Sequence, residues 1–240
     1  TQSVPEAIYV NAASSSSKSV LHNSGLIQSA GGKAITLLGD TSDTLVNQGT
    51  IFGAVSMGGG NDTVRLQSQG RIIGLLDGGS GQDLLELSDG QGTIDGSIRD
   101  FELLTVRSGS WRLTGEGPDW ESIRIETPGT LTGRSAALKG PIANFGTLIF
   151  DQPAEATVLA TIVGNGTVIK QGTGRLTIGS QSYHGETYVN AGELMLAGSL
   201  ASSSVRVGNG AKLSGVGSLA ADLQIGNGGT ISPGNGLGTI

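Results

Sequence analysis

Apolar and polar residues alternate in short segments along most of this chain. The segment GELMLAG, residues 192–198, places Leu194 and Leu196 on one side and Glu193 and Met195 on the other. Such alternation over four to eight residues is typical of a β-strand with one buried face. We expect the inward-facing side chains of three such segments to fill the interior: Leu176, Ile178, Leu194, Leu196, Val205 and Val207.

The alternating segments recur at a nearly constant interval. GTIFG, GRIIG and GTIDG begin at Gly49, Gly70 and Gly92, which are 21 and 22 residues apart. Near the C-terminal end the interval is 18 residues, between segments that begin at Gly174, Gly192, Gly210 and Gly228. A period of this size indicates a solenoid, and no segment has the 3.6-residue pattern of a helical repeat. We therefore predict an all-β, right-handed parallel β-helix of about 11 coils, stacked about 4.8 Å apart.

The regularity of the repeats changes along the chain. Residues 1–20 contain the serine-rich stretch SSSSKS and are predicted to be a flexible linker or a first coil. Residues 21–163 are predicted to form irregular coils, and residues 164–240 regular ones. The segment Gly115–Trp120 is expected to loop out of the solenoid, which leaves both burial and exposure open for Trp120. Trp111 alternates with Leu113 and is expected in the core.

Composition supports many short strands and narrows the classes of function. The 240 residues include 42 glycines, and only 4% of the chain is aromatic. Glycine tolerates the positive φ angles that sharp corners require. The net charge of −6 argues against a nucleic-acid partner, because such proteins need clustered lysine and arginine. The absence of cysteine excludes disulfides and thiol catalysis.

Residues for enzymatic chemistry are sparse. Of the two histidines, His22 lies near the serine-rich stretch and His184 lies in the turn SYHGET. A catalytic histidine needs a nucleophile and an orienting acid nearby, and no motif supplies them. We therefore predict no catalytic residue and no cofactor site, and interpret His184 as an exposed turn residue.

One pair of aspartates lies in a pattern related to calcium-binding repeats. Asp62 and Asp83 follow the glycine-rich stretches GGGN and GGSGQ and are 21 residues apart, so they are expected to stack one coil apart. Calcium solenoids use tandem copies of this pattern to supply six to eight oxygen ligands. Here each copy stands alone. We predict no metal site, and interpret each aspartate as a hydrogen-bond acceptor for the turn backbone.

The C-terminal segments resemble a known repeat. GTGRLTIG at residues 172–179, YHGETYVNAGEL at 183–194 and SPGN at 232–235 occur in the order found in the passenger-associated transport repeat of bacterial autotransporters, the type V secreted proteins. The resemblance is strong over about residues 100–240. Over residues 20–100 only the general character of the repeats is similar. Passengers of this family are β-helices, which agrees with the fold predicted from the periodicity.

The resemblance implies a function and a location. The chain is expected to be a passenger fragment, cut inside a coil, from the surface of a Gram-negative bacterium. Its implied partner is its own C-terminal translocator barrel, with a host surface, a glycan or another copy of the chain as further partners. Adhesion or autoaggregation is the activity expected first. The alternative is the non-catalytic stalk of a longer hydrolase, most plausibly a serine protease, whose catalytic domain would lie upstream.

Overall fold

A computed structural model describes residues 8–11 and 18–234 of the chain. The chain divides into two compact units, Thr1–Ser122 and Ile123–Ile240. Their regular structure is almost entirely parallel β-strand, and the described residues contain no α-helix. The predicted parallel β-solenoid is confirmed, with about 11 turns. The boundary predicted at residues 163 and 164 from the change of period remains a prediction, and most of the predicted N-terminal linker lies outside the described residues.

Each coil of unit 1 contributes strands to three faces, and the strands within each face are parallel. The first face holds β2, β4, β6, the start of β9, and β11; the second holds the starts of β3 and β5, then β7, the end of β9, and β12; the third holds β1, the ends of β3 and β5, then β8 and β10. The strands are β1 (Ile8–Asn11), β2 (Val20–Asn23), β3 (Leu26–Leu38), β4 (Thr44–Asn47), β5 (Thr50–Ser56), β6 (Thr63–Ser68), β7 (Arg71–Ile73), β8 (Leu76–Asp77), β9 (Leu84–Asp95), β10 (Ile98–Arg99), β11 (Leu103–Val106) and β12 (Ser110–Leu113).

Apolar side chains stack in register inside unit 1. Ile51, Ile72, Ile94 and Leu113 follow one another in successive coils of the second face, and none is more than 3% exposed. Each buried side chain of this size stabilises the folded chain by about 1.5–3 kcal/mol. A coil cannot bury its own apolar side alone, so the stability of each coil depends on its neighbours.

Both tryptophans belong to the core of unit 1. Trp111 is 1% exposed, as expected, and its indole nitrogen donates to the Ser108 carbonyl at 2.9 Å. Trp120 is 2% exposed, which resolves the open alternative in favour of burial. The expectation that Gly115–Trp120 loops out of the solenoid is wrong at its start, because the Ile98 amide donates to the Glu116 carbonyl at 2.8 Å. The ring of Trp120 is thus buried in a segment whose polar composition indicated a loop.

Unit 2 also stacks three faces, and its strands continue the numbering from β13, which begins at the last residue of unit 1. β13, β15 and β18 form the first face; β14, β16, β19, β21, β23 and β25 form the second; β17, β20, β22, β24 and β26 form the third. The elements are β13 (Ser122–Ile125), β14 (Thr130–Gly133), the 3₁₀-helix Ser135–Ala137, β15 (Ile142–Asn144), β16 (Thr147–Asp151), β17 (Ala156–Thr157), β18 (Ile162–Val163), β19 (Thr167–Gln171), β20 (Arg175–Ile178), β21 (Glu186–Val189), β22 (Glu193–Leu196), β23 (Ser204–Val207), β24 (Lys212–Gly215), β25 (Asp222–Ile225) and β26 (Thr230–Pro233).

The inward-facing residues expected in this part of the chain are buried. Leu194 aligns with Leu176 in the preceding coil and with Leu213 in the following one. The alternation in the sequence therefore identified the interior side of each strand. All six of the expected side chains are at most 3% exposed: Leu176, Ile178, Leu194, Leu196, Val205 and Val207.

One charged side chain points into the interior of unit 2. Lys170 is 1% exposed, and its ammonium group donates to the backbone carbonyls of Gln171, Gly172 and Ala191 at 3.0, 2.8 and 3.0 Å. Burial lowers the pKa of Lys170 below its usual value, and the charge of Asp151 opposes that shift. An ammonium group has three donors, so this corner uses all of them. Lys170 thereby joins the corners of two successive coils.

Replacing Lys170 with methionine is expected to destabilise unit 2 by about 2–3 kcal/mol, because three partly buried carbonyls lose their charged donor. The matched control is Lys212→Met. Lys212 pairs with Glu193 at the surface and its side chain is 40% exposed, so we expect a change within about 0.5 kcal/mol. Urea denaturation followed by circular dichroism measures both. Equal stability of the two variants would contradict the structural role of Lys170.

Candidate functional site

The second face of unit 1 presents an ordered outer surface. Thr50, Arg71, Thr93 and Arg112 occupy matching positions in four successive coils. A parallel row places Phe52, Ile73 and Asp95 beside them. Phe52 is 47% exposed, so this face combines an aromatic ring with polar side chains at the repeat distance of the coils. We call these two rows the outer rows of unit 1.

A shallow groove follows the first of these rows from Arg71 to Arg112. It encloses about 340 Å³. Arg71 forms an ion pair with Asp95 of the next coil, and Asp95 also accepts a hydrogen bond from Thr114 at 3.2 Å. The groove therefore offers amides, hydroxyls and oriented charges along its length. The lining residues are Gln69, Arg71, Gln91, Gly92, Thr93, Ser110 and Arg112.

Ion pairs between coils also occur elsewhere on the outer surface. On the first face of unit 1, Glu86 accepts from Arg65 at 3.1 Å and from Arg107 at 2.7 Å. On the third face, Arg99 binds Asp77 at 2.6 Å, and this carboxylate raises the pKa of Arg99 above its usual value. Exposed pairs of this kind each contribute at most about 1 kcal/mol. These pairs give the surface opposite charges that alternate along the stacking direction of the coils.

A second cluster lies at the corner between the third and first faces of unit 1. Four carboxylates, one per coil, each accept a backbone N–H from the coil before. Asp43 accepts from Ser19 at 2.6 Å, Asp62 from Asp43 at 2.6 Å, Asp83 from Asp62 at 2.7 Å, and Glu102 from Asp83 at 2.7 Å. We call this set, Asp43, Asp62, Asp83 and Glu102, the carboxylate ladder.

The expectation that Asp62 and Asp83 stack one coil apart is confirmed by these contacts. Each does accept a backbone N–H, as the sequence suggested. The donor, however, belongs to the preceding coil rather than to the aspartate's own turn. The prediction that no metal binds here remains a prediction. Within residues 8–11 and 18–234, no group of three or more histidine or acidic side chains is arranged to hold a metal ion.

The histidines lie apart from any catalytic arrangement. His22, on β2, and His184, in a turn of unit 2, are both exposed, as the sequence indicated for His184.

Among the described residues, the most buried serine is Ser202. Its hydroxyl accepts a hydrogen bond from Thr187 at 2.9 Å and donates one to the Gly185 carbonyl at 2.6 Å. A nucleophilic serine needs a base within hydrogen-bond reach. The partners of Ser202 are hydroxyls and carbonyls, which give it a structural role at the corner.

The described part of the chain contains no helix that is long and apolar enough to cross a membrane.

Sequence reasoning identified Asp62 and Asp83 but missed Asp43 and Glu102. Asp43 precedes a strand without the glycine pattern, in the stretch GDTSDTL, and Glu102 follows Phe101 in a segment of mixed character. A signal was present, because acidic residues recur at 43, 62, 83 and 102, each directly before a strand or one residue from it. Sequence reasoning named no residue of the outer rows.

Comparison with known proteins gives two local matches. An 80-residue segment, 33% of this chain, is 40% identical to an extracellular serine protease of Serratia marcescens, of which it covers 8%. An 85-residue segment, 34% of this chain, is 40% identical to the adhesin BmaC autotransporter of Brucella suis biovar 1 (strain 1330), of which it covers 2%. The chain therefore spans only a small part of the length of either relative. No family model and no solved structure matches the chain.

These matches agree with the architecture. One relative is an autotransporter by name and the other is extracellular by name. The repeat motifs of the sequence led to the same family independently of the comparisons. The parallel β-solenoid, together with the local identity to these two proteins, fits the passenger domain of a bacterial autotransporter.

Proposed function

We propose that this chain is a non-catalytic stalk of a surface-exposed or secreted autotransporter passenger, and that the outer rows of unit 1 mediate adhesion or autoaggregation. The observation that carries the proposal is the aligned surface of Thr50, Arg71, Thr93 and Arg112 beside the exposed ring of Phe52. A flat face with regularly spaced contacts suits an extended partner better than a compact small molecule.

The chemistry of the outer rows favours two kinds of partner. The exposed ring of Phe52 suits the apolar face of a glycan, and the nearby side-chain amides of Gln69 and Gln91 suit its hydroxyls. Arg71, Arg112 and Asp95 also suit the same face of a second copy, because an arginine of one copy can meet the aspartate of the other. The 40% identity of an 85-residue segment with an adhesin supports adhesion to a glycan as well as self-association.

Reversing the charge of Arg71 tests the proposal. We expect the purified chain, coupled to beads, to cluster the beads or to bind an array of bacterial and host glycans. The variant Arg71→Glu is expected to reduce bead clustering or glycan binding, whichever the wild-type chain shows, at least fivefold. The reason is that the new glutamate would lie beside Asp95, so that two negative charges are adjacent. Bead clustering identifies self-association, and array binding identifies a glycan.

Arg99→Glu provides the matched control. Arg99 also pairs with an aspartate one coil away, and its side chain is 57% exposed compared with 51% for Arg71, but it lies on the third face. The proposal predicts normal interaction for this variant. Equal losses in both variants would show that overall charge matters rather than the outer rows. Wild-type chain that neither clusters beads nor binds any glycan would exclude adhesion by this fragment.

The second candidate function is the stalk of a longer secreted hydrolase. It is supported by the 40% identity with the extracellular serine protease of Serratia marcescens. In this case the solenoid would support a catalytic domain, and its outer rows would have no partner. A serine, histidine and aspartate in triad arrangement in a segment encoded upstream of Thr1, combined with inactive outer rows in the bead assay, would favour this candidate.

A further inference from the structure

We propose that the carboxylate ladder of unit 1 is a proton-binding site, and that proton release from Asp62 and Asp83 weakens this unit as the pH rises.

Each carboxylate of the ladder uses only one of its oxygens in the contacts between coils. Asp62 accepts the Asp43 amide through Oδ1, and Asp83 accepts the Asp62 amide through Oδ1. The second oxygen of both aspartates, Oδ2, is buried and has no hydrogen-bond partner among the described residues. Asp62 is 1% exposed and Asp83 is fully buried, so water does not solvate them freely. Two interior oxygens are thus left without a donor.

An ionised carboxylate is poorly suited to this environment. Burying a charge without a compensating partner is costly, and such groups shift their pKa and become neutral instead. A proton on Oδ2 removes the charge and leaves the backbone contact of Oδ1 in place. The geometry therefore favours the neutral acid at both positions.

The charged groups around the ladder act in the same direction. Burial is the main cause that raises the pKa of Asp62 to about 7. The hydrogen bond from the Asp43 amide opposes this shift, whereas the negative charges of Asp83 and Asp43 add to it. Burial also raises the pKa of Asp83, the Asp62 amide opposes the shift, and the charges of Glu102, Asp100 and Asp77 add to it. Arg99 forms ion pairs with two of these neighbours, Asp77 and Asp100.

A proton suits this corner better than a metal ion. Calcium takes six to eight oxygen ligands and magnesium demands six in near-octahedral geometry. The ladder spaces its carboxylates one per coil, and the backbone amides of the preceding coil occupy one oxygen of each. Only single oxygens at separate levels remain, and a single oxygen is sufficient for a proton.

The direction of the pH effect follows from the raised pKa values. In the unfolded chain an aspartate titrates near its ordinary value of 3.8, whereas folded Asp62 titrates near 7. Between these values the folded chain binds more protons than the unfolded chain. The stability of unit 1 therefore falls as the pH rises from about 4 to about 7 and levels off above this range. We expect the unfolding equilibrium constant of unit 1 to rise at least tenfold between pH 5 and pH 8.

Tryptophan fluorescence can follow unit 1 alone, because the chain has two tryptophans and both Trp111 and Trp120 are buried in this unit. Urea denaturation of the wild-type chain at pH 5 and pH 8 is compared with the double variant Asp62→Asn/Asp83→Asn, which cannot titrate at these positions. The double variant is expected to lose most of the difference between the two pH values. Asp89→Asn, an exposed aspartate at another corner of unit 1, is expected to keep it.

The comparison depends on the pH difference within each variant, so a lower baseline stability of the double variant does not affect it. If the double variant does not fold, carbon-13 NMR of aspartate carboxyl groups in the wild-type chain tests the same site. Two resonances that titrate well above the usual aspartate range are expected.

Ordinary titration of all aspartates, or wild-type stability that does not fall between pH 5 and pH 8, would overturn the proposal. Stabilisation by millimolar calcium at pH 8 that disappears in the double variant would also overturn it, by showing a metal site. Failure of the adhesion assay would leave this proposal unaffected.

Discussion

Replacing Leu196 with aspartate is expected to unfold the coils around β22. Leu196 is 2% exposed and aligns with Ile178 in the preceding coil and Gly215 in the following one. The variant loses the burial of a large apolar side chain and places an unpaired carboxylate in the interior. These two effects together are expected to destabilise unit 2 by about 4 kcal/mol or more. Hydrogen exchange of the amides in unit 2 would show the loss, because their protection depends on the stacked coils.

Met195→Asp is the matched control for this result. Met195 is the neighbouring residue on the same strand and points outward, where it is partly exposed. The new carboxylate would be solvated there, so we expect a loss below about 1 kcal/mol. Limited proteolysis should digest unit 2 of Leu196→Asp much faster than unit 2 of Met195→Asp. Similar resistance of the two variants would show that the assignment of inward and outward positions is wrong.

Replacing Gly79 with alanine is expected to disrupt the stacking of two coils in unit 1. A Cβ atom at this position would lie 1.7 Å from the carbonyl oxygen of Gly58 in the preceding coil. The residue also has a φ of +98°, which side chains rarely adopt. Backbone strain contributes about 1–3 kcal/mol, and separation of the coils adds to it. We therefore expect a loss of about 3 kcal/mol or more, measured by urea denaturation with tryptophan fluorescence.

Two other glycines of unit 1 separate the causes of this effect. Gly32 has a φ of +79° but open space around a Cβ atom, so Gly32→Ala carries the backbone strain alone and is expected to cost about 1–2 kcal/mol. Gly25 has neither constraint, so Gly25→Ala is expected to change the stability by less than about 0.5 kcal/mol. If Gly79→Ala were no worse than Gly32→Ala, close approach of the coils would not be the reason for glycine at position 79.

The interior of the solenoid could be predicted from the sequence because it depends on a local pattern. Successive residues of a strand point to opposite sides, so the inward positions of Leu194 and Leu196 followed from their alternation with Glu193 and Met195. The stacking of Asp62 on Asp83 was also predictable, since a constant period brings equivalent positions into neighbouring coils.

The carboxylate ladder was only partly predictable. The glycine-rich pattern before Asp62 and Asp83 pointed to a turn, and a turn aspartate commonly accepts from its own backbone. Glu102 has a longer side chain and no such pattern, yet its Oε2 reaches the same kind of amide. Which coil supplies the donor depends on the offset between coils, and this offset is not a property of any single segment.

The sequence by itself determined the parallel β-solenoid, the inward side of its strands and the autotransporter resemblance, since all three rest on residue order and periodicity. The tertiary structure decided the environment of residues that break the pattern. Trp120 lies in a polar segment and is nevertheless buried, because the backbone on either side of it, at Glu116 and Glu121, hydrogen-bonds to the coil before it. Lys170 occupies an interior position because three carbonyls from two coils converge on its ammonium group. At both positions part of the contact comes from residues about 20 positions away in the chain, so a local pattern could not have revealed it.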